Sequence, residues 1–176
     1  KINPEESMAR ESLEELMYSS VRYRMISDVP VGSFLSGGLD SSILVALMSE
    51  MHPDPIKTFT IGFDDDGFNE FEHARKVADH CDTNHKEILL DASSYLDSLR
   101  TMISIKDSPL AVPNEIALHK LSKVLKEDIT VVLSGEGADE LFWGYDRIFK
   151  WAYHSNAMDI NEFDKKYCYE QCLFFS

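Results

Sequence analysis

Val31-Gly32-Ser33-Phe34-Leu35-Ser36-Gly37-Gly38-Leu39-Asp40-Ser41-Ser42 is the stretch that decides the fold. Its first five residues are short, apolar and rich in strand formers, the pattern of a buried strand. Two adjacent glycines then turn the chain tightly. Ile43, Leu44, Leu47 and Met51 follow at helical spacing until His52-Pro53 ends the run. A strand feeding a helix through a glycine turn is the opening of a βα unit.

The same alternation extends both ways from it. Upstream, residues 5–26 read as a helix with Leu13, Leu16, Met17, Val21 and Met25 on one stripe, broken by Asp28-Val29-Pro30. Downstream, Ile56 to Phe63 reads as a strand, and Phe71, Ala74, Ala78 and Cys81 mark a helix face. Glu87 to Leu90 is a shorter strand, followed by a helix over 93–105 carrying Leu96, Leu99 and Ile103. Pro109 and Pro113 punctuate a loop before a helix with Ala117, Leu121, Val124 and Leu125. Ile129 to Leu133 is a fully apolar strand, and Leu141, Phe142, Tyr145, Ile148, Phe149 and Ala152 give a last helix a wide apolar face. Helices alternating with apolar strands imply a parallel sheet covered on both sides, a doubly wound α/β fold with a leading helix. No repeat or linker divides the chain, so one domain over residues 1–176 is expected. Ligands of such folds sit at the carboxyl ends of strands, beside a switch in strand order.

Charge and composition narrow the function. With 17 basic and 31 acidic residues the formal net charge is −14. Nucleic-acid binding relies on Lys and Arg neutralising phosphates, so this balance argues against it. No apolar run reaches the roughly 20 residues that span a bilayer, and the first residues lack the pattern of a secretory signal. Cys81, Cys168 and Cys172 are odd in number and irregularly spaced, as reduced thiols would be. A cytoplasmic protein with small-molecule partners is expected.

Ser36 to Ser42 has the makings of an anion site. The glycines bring backbone N–H groups close to a ligand, and the helix that starts there adds free N–H groups and its positive dipole end. Ser36, Ser41 and Ser42 add hydroxyl donors. Asp40 is out of place among them unless a cation bridges it to phosphate, which suits Mg²⁺. The string is neither a Walker A sequence nor a dinucleotide fingerprint. The plainer alternative is a turn in which Ser36 or Asp40 caps the helix.

A second loop, Ser134-Gly135-Glu136-Gly137-Ala138-Asp139-Glu140, repeats the architecture after the Ile129–Leu133 run. Three carboxylates within five residues repel one another unless donors or cations balance them. An acidic helix start would account for the carboxylates but not for both glycines. If the two loops adjoin, Asp40 and Asp139 are candidate Mg²⁺ ligands.

SGGLDSS and SGEGADE, each after an apolar strand, resemble the paired signatures of the asparagine synthetase family, and the first matches the PP-loop of ATP-pyrophosphatases. FLSGGLDSS, TFTIGF, ARKVADH and VVLSGEGADELFWGY extend the similarity over about Glu6 to Tyr145. The resemblance implies an adenine nucleotide alpha hydrolase-like fold and a synthetase domain. ATP would activate the aspartate side-chain carboxylate as β-aspartyl-AMP with loss of pyrophosphate. Ammonia from a glutaminase domain of the same full-length chain would then displace AMP. Carried over by position, Leu35 and Ile61 would contact adenosine, and Ser36, Gly37, Gly38, Asp40, Ser41 and Ser42 the phosphates. Ser134 and Gly135 would contact the nucleotide, and Glu136 would serve catalysis, where related β-lactam synthetases tend to have tyrosine. A homodimer is compatible with this reading.

Three departures qualify the likeness. Lys1 is not the N-terminal cysteine nucleophile of a glutaminase, and Ser176 precedes the family's R-x-P-F segment and catalytic lysine, so a piece of the synthetase domain is expected. Lys106-Asp107-Ser108-Pro109 stands where many relatives read D-E-P, and Trp143-Gly144 replaces a frequent Gly-Gly. The alternatives are another PP-loop ligase with a different carboxylate acceptor and a nucleotide-binding module without catalysis. None of the six histidines has metal-ligand spacing, and Asp64-Asp65-Asp66 lacks the EF-hand pattern. The aromatic tail Tyr167, Tyr169, Phe174 and Phe175 reads as a helix without its partners.

Overall fold

The computed structural model describes residues 6–64, 69–110 and 114–145. The chain divides into two compact units, Lys1–Gly135 and Glu136–Ser176.

The first unit runs α1 (Glu6–Arg24), β1 (Val31–Phe34), α2 (Leu39–Met51), β2 (Lys57–Phe63), α3 (Phe71–His80), β3 (Asn84–Leu90), α4 (Ala92–Lys106), α5 (Asn114–Leu125) and β4 (Val131–Leu133). The strands form one parallel sheet in the order β3-β2-β1-β4. From β1 the chain therefore steps to one side through β2 and β3, and later returns to the other side as β4. The reversal lies between β1 and β4, the switch point where such sheets open a crevice.

Side chains along each strand alternate between two cores, as strand geometry dictates. Leu35 and Leu133 enter one core with Val45 and Met48 of α2, Ala74 and Ala78 of α3, and Val21 of α1. Phe59 and Ile88 enter the other with Leu121 and Leu125 of α5 and with Ile129. Ser33, Thr58 and Thr60 are the buried polar side chains among the described residues. The sheet is thus covered on both faces, which is why its strands read as continuous apolar runs.

Three expectations change. β3 begins at Asn84, three positions before Glu87, because it pairs with β2 along its whole length from Lys57↔Asn84 to Phe63↔Leu90. Its exposed residues hid it: Asn84, Lys86 and Leu89 face solvent. β4 is shorter than the apolar run, since the Ile129 N–H donates to the Leu125 carbonyl (2.9 Å) and belongs to the turn after α5. On α1 the stripe is only partly a core face: Val21 is buried, whereas Leu13 is 42% and Leu16 67% exposed.

Gly32 is where β1 meets the second core most tightly. A Cβ there would stand 2.7 Å from Ile129 Cδ1 and 2.8 Å from the Lys57 carbonyl oxygen. The isoleucine end can move, but the strand carbonyl is held in the ladder. Gly32→Ala is therefore expected to lower the free energy of unfolding by about 1–3 kcal/mol, read as a lower urea midpoint with an unchanged slope.

Candidate functional site

The site is built from the ends of β1 and β4 upward. β1 stops at Phe34, and the Leu35 N–H still donates to the Phe59 carbonyl (2.9 Å) before the chain turns away. Gly37 takes φ +81, and a Cβ on it would lie 2.6 Å from the backbone of His73 and Ala74. Both the left-handed backbone and the close approach of α3 demand glycine at this position.

The serines hold the loop together from within. The Ser36 N–H donates to Ser41 Oγ (3.2 Å), and the two hydroxyls are 3.0 Å apart. The Gly38 N–H donates to Ser36 Oγ (3.2 Å). Ser41 and Ser42 hydroxyls donate back to the Gly38 carbonyl, at 3.2 and 2.6 Å. Gly38 is the N-cap of α2, and no side chain caps that terminus. The plainer alternative, in which Ser36 or Asp40 caps the helix, is therefore not what these residues do. The first-turn N–H groups keep the polarity that attracts an anion. Asp40 lies exposed in this first turn.

The β4 end meets this loop directly. A Cβ on Gly135 would stand 3.1 Å from Asp40 Cβ and 3.3 Å from the Ser41 nitrogen. The start of the second loop thus lies against the first. Ser134 is exposed beside Gly135.

Below the loops, buried hydroxyls reach strand-end carbonyls. Thr60 Oγ1 donates to the Leu35 carbonyl. Ser33 Oγ lies 3.2 Å from the Leu133 carbonyl and 3.0 Å from that of Phe34. Thr58 Oγ1 instead pairs with Thr83 Oγ1 (2.8 Å) and His85 Nδ1 (2.9 Å). Sequence reading misses these hydroxyls. A polar residue inside an apolar strand is the available signal, but its partner depends on which strand lies alongside.

Leu35 and Ile61 differ in what they can offer a ligand. Leu35 is 1% exposed, its side chain in the core and its N–H and carbonyl both engaged. Ile61 is half-buried and packs against the second core.

In the second unit, α6 (Ala138–Phe142) follows Gly137, which takes φ +93. Glu136 is exposed and Asp139 half-buried. A Cβ on Gly144 would overlap the Asp139 carboxylate, so the chain passes close over that side chain. The Tyr145 hydroxyl donates to Glu140, which holds that carboxyl below its usual range and pushes the phenol up to about 12. Trp143 takes φ +64, a left-handed conformation that glycine adopts more easily. The residue replacing glycine in the FWGY segment thus sits at a glycine-like backbone position. Leu141, Phe142 and Tyr145 are exposed; Ile148, Phe149, Ala152 and the aromatic tail lie outside the described residues, as do Cys168 and Cys172. No group of three or more His, Cys, Asp or Glu side chains among the described residues could by itself hold a metal ion. No helix among them is long and apolar enough to cross a membrane.

A parallel sheet with a glycine turn at its switch point, reading SGGLDSS, defines an α/β domain of the PP-loop type. The chain belongs to the asparagine synthase family, whose profile matches residues 12–169. It is 41% identical over 145 residues to asparagine synthetase [glutamine-hydrolyzing] 1 of Bacillus subtilis, covering 82% of this chain and 23% of that protein. It is 33% identical over 145 residues to the human asparagine synthetase [glutamine-hydrolyzing], covering 77% of this chain and 26% of that one. The chain thus spans about a quarter of the length of these curated relatives. Among solved structures it resembles the NMN synthetase of Francisella tularensis (TM-score 0.53, 16% identity, 77% of this chain and 58% of that one). It also resembles the NH3-dependent NAD synthetase of Campylobacter jejuni (TM-score 0.51, 17% identity, 77% and 60%). At such identities the likeness concerns the fold alone.

The polar cluster beside the site makes folding sensitive to pH. Burial holds the His85 imidazole below its ordinary pKa of 6.5, with Arg75 acting the same way and Glu87 and Asp79 opposing. The folded chain therefore resists a proton that the unfolded chain accepts. This contribution to stability is complete above pH 6.5 and is lost progressively as the pH falls from there through the lower pKa of the folded chain. Urea midpoints are expected to drop between about pH 7.5 and about pH 5.5, above the ordinary carboxylate range. His85→Gln should flatten that drop.

Proposed function

We propose that this chain supplies the ATP site of a ligase that activates a carboxylate and joins it to ammonia. The observation that supports the reading is the close approach of Gly135 to Asp40 and Ser41, which brings the start of the second glycine loop against the first at the sheet's switch point. Phosphate would rest at the turn from Ser36 to Ser42, against the first-turn N–H groups at the uncapped start of α2, with Ser134 and Gly135 against the nucleotide. Ile61 would offer apolar surface to adenosine, and Leu35 would support the loop from the core.

Mg²⁺ fits this donor set. Asp40 is an exposed carboxylate at a helix start that otherwise favours anions, and a cation between it and phosphate removes the conflict. Asp40 would hold the ion from the first loop and Asp139 from the second. Bound there, the ion would neutralise charge on the phosphates.

The acceptor is the aspartate side-chain carboxylate. Its oxygen attacks the α-phosphorus of ATP, the bond from that phosphorus to the bridging oxygen breaks, and pyrophosphate leaves. Ammonia from a glutaminase domain then attacks the acyl carbon, AMP departs, and Glu136 accepts the proton that the new amide nitrogen sheds. The family membership and the names of the curated relatives support aspartate and glutamine-derived ammonia over other pairs.

In the full-length enzyme, exchange of labelled pyrophosphate into ATP should require aspartate and Mg²⁺. Asp40→Asn is expected to lower it by about 10²-fold or more. Glu136→Gln should lower amide formation by about 10²–10⁴-fold. Exchange driven by a different carboxylic acid and not by aspartate would overturn the acceptor; exchange indifferent to Asp40→Asn would overturn the metal assignment.

A further inference from the structure

Both glycine loops start from a backbone carbonyl that is buried and held by a hydroxyl from the adjacent strand. Leu35 immediately precedes Ser36, and its carbonyl accepts from Thr60 Oγ1 of β2. Leu133 immediately precedes Ser134, and its carbonyl lies 3.2 Å from Ser33 Oγ of β1. Ser33 is 0% and Thr60 3% exposed, so no water competes for either hydroxyl.

We propose that Thr60 and Ser33 are positioning residues of the nucleotide site, fixing the peptide planes from which the two phosphate-facing loops depart. The inference rests on the reading of those loops as the ATP site. Its physical basis is the planarity of the peptide: the Leu35 carbonyl and the Ser36 N–H share one rigid group, as do the Leu133 carbonyl and the Ser134 N–H. A hydroxyl that holds the carbonyl also aims the N–H on the opposite side of that plane. For the first loop the aim is visible, since the Ser36 N–H points to Ser41 Oγ, which in turn bonds the Gly38 carbonyl. Without the hydroxyl, a buried carbonyl lacks a partner and the strand end shifts to find one. Ser33 divides its hydrogen between the Leu133 and Phe34 carbonyls, so the stronger hold is that of Thr60.

Thr58 provides the control. It lies on the same strand and face as Thr60 and is equally buried, but it bonds Thr83 and His85 Nδ1 and no loop carbonyl, while the other ring nitrogen of His85 lies 3.5 Å from Thr60 Oγ1. Losing its hydroxyl removes no bond to a loop carbonyl.

The test uses the full-length enzyme and pyrophosphate exchange at saturating acceptor acid. Thr60→Val is expected to raise the KM for ATP at least about five-fold while the KM for the acid stays within about two-fold. Thr60→Ser should restore it, and Thr58→Val should leave both constants as in the wild type. If Thr60→Val fails to fold, Ser33→Ala carries the test and should raise the KM for ATP by about two-fold or more. An unchanged KM for ATP in Thr60→Val, or an equal rise in Thr58→Val, would overturn the positioning role and leave the ATP site standing. A wild-type enzyme that neither exchanges pyrophosphate nor binds ATP would overturn the site and the inference with it.

Discussion

Backbone-to-side-chain contact at Gly135 is possible only because two strands that are distant in sequence lie next to each other. β4 pairs with β1 from Val31↔Val131 to Ser33↔Leu133, which brings the start of the second loop level with the start of the first. A side chain at Gly135 would push against Asp40 and the Ser41 nitrogen. The closeness of the two loop starts at the switch point depends on this register. A slip of one residue would turn every β4 side chain to the wrong face and separate the loops.

The same geometry is what would let so acidic a chain hold the anionic ligand proposed for it. The formal net charge of −14 disfavours anions at long range. Close to the loop, however, the field is set by backbone dipoles. α2 begins at Gly38 without a side-chain cap, and the serines that might have capped it are engaged with one another and with the Gly38 carbonyl. The loop is thus shaped before a ligand arrives, which reduces the ordering cost of binding. Asp40 is the exception, an exposed carboxylate in the first turn of α2.

The fold places its remaining polarity under this loop. In the first core, apolar residues of α1, α2 and α3 surround Ser33, Thr58 and Thr60 on one face of the sheet. Hydroxyls in such a place are stable only when bonded, and two of the three bond the carbonyls at which strands end. The third, Thr58, joins His85, whose other ring nitrogen lies 3.5 Å from Thr60 and whose proton uptake burial opposes.

Much was legible in the sequence because local chemistry fixed it. The turn at Gly37-Gly38, the strand before it and the helix after it follow from side-chain pattern and glycine freedom alone. The order of helices and strands followed from hydrophobic period, and the two glycine loops were marked by residue type. Other features depended on neighbours. The early start of β3 is hidden in the polar residues Asn84 and Lys86, which become strand only because β2 lies beside them. The exposure of Leu13 and Leu16 on α1 reflects how much of that helix reaches the core. Strand order, the meeting of Gly135 with Asp40, and the grip of Thr60 on the Leu35 carbonyl were decided by tertiary structure, because each is a contact between segments whose sequences carry no record of their separation in space.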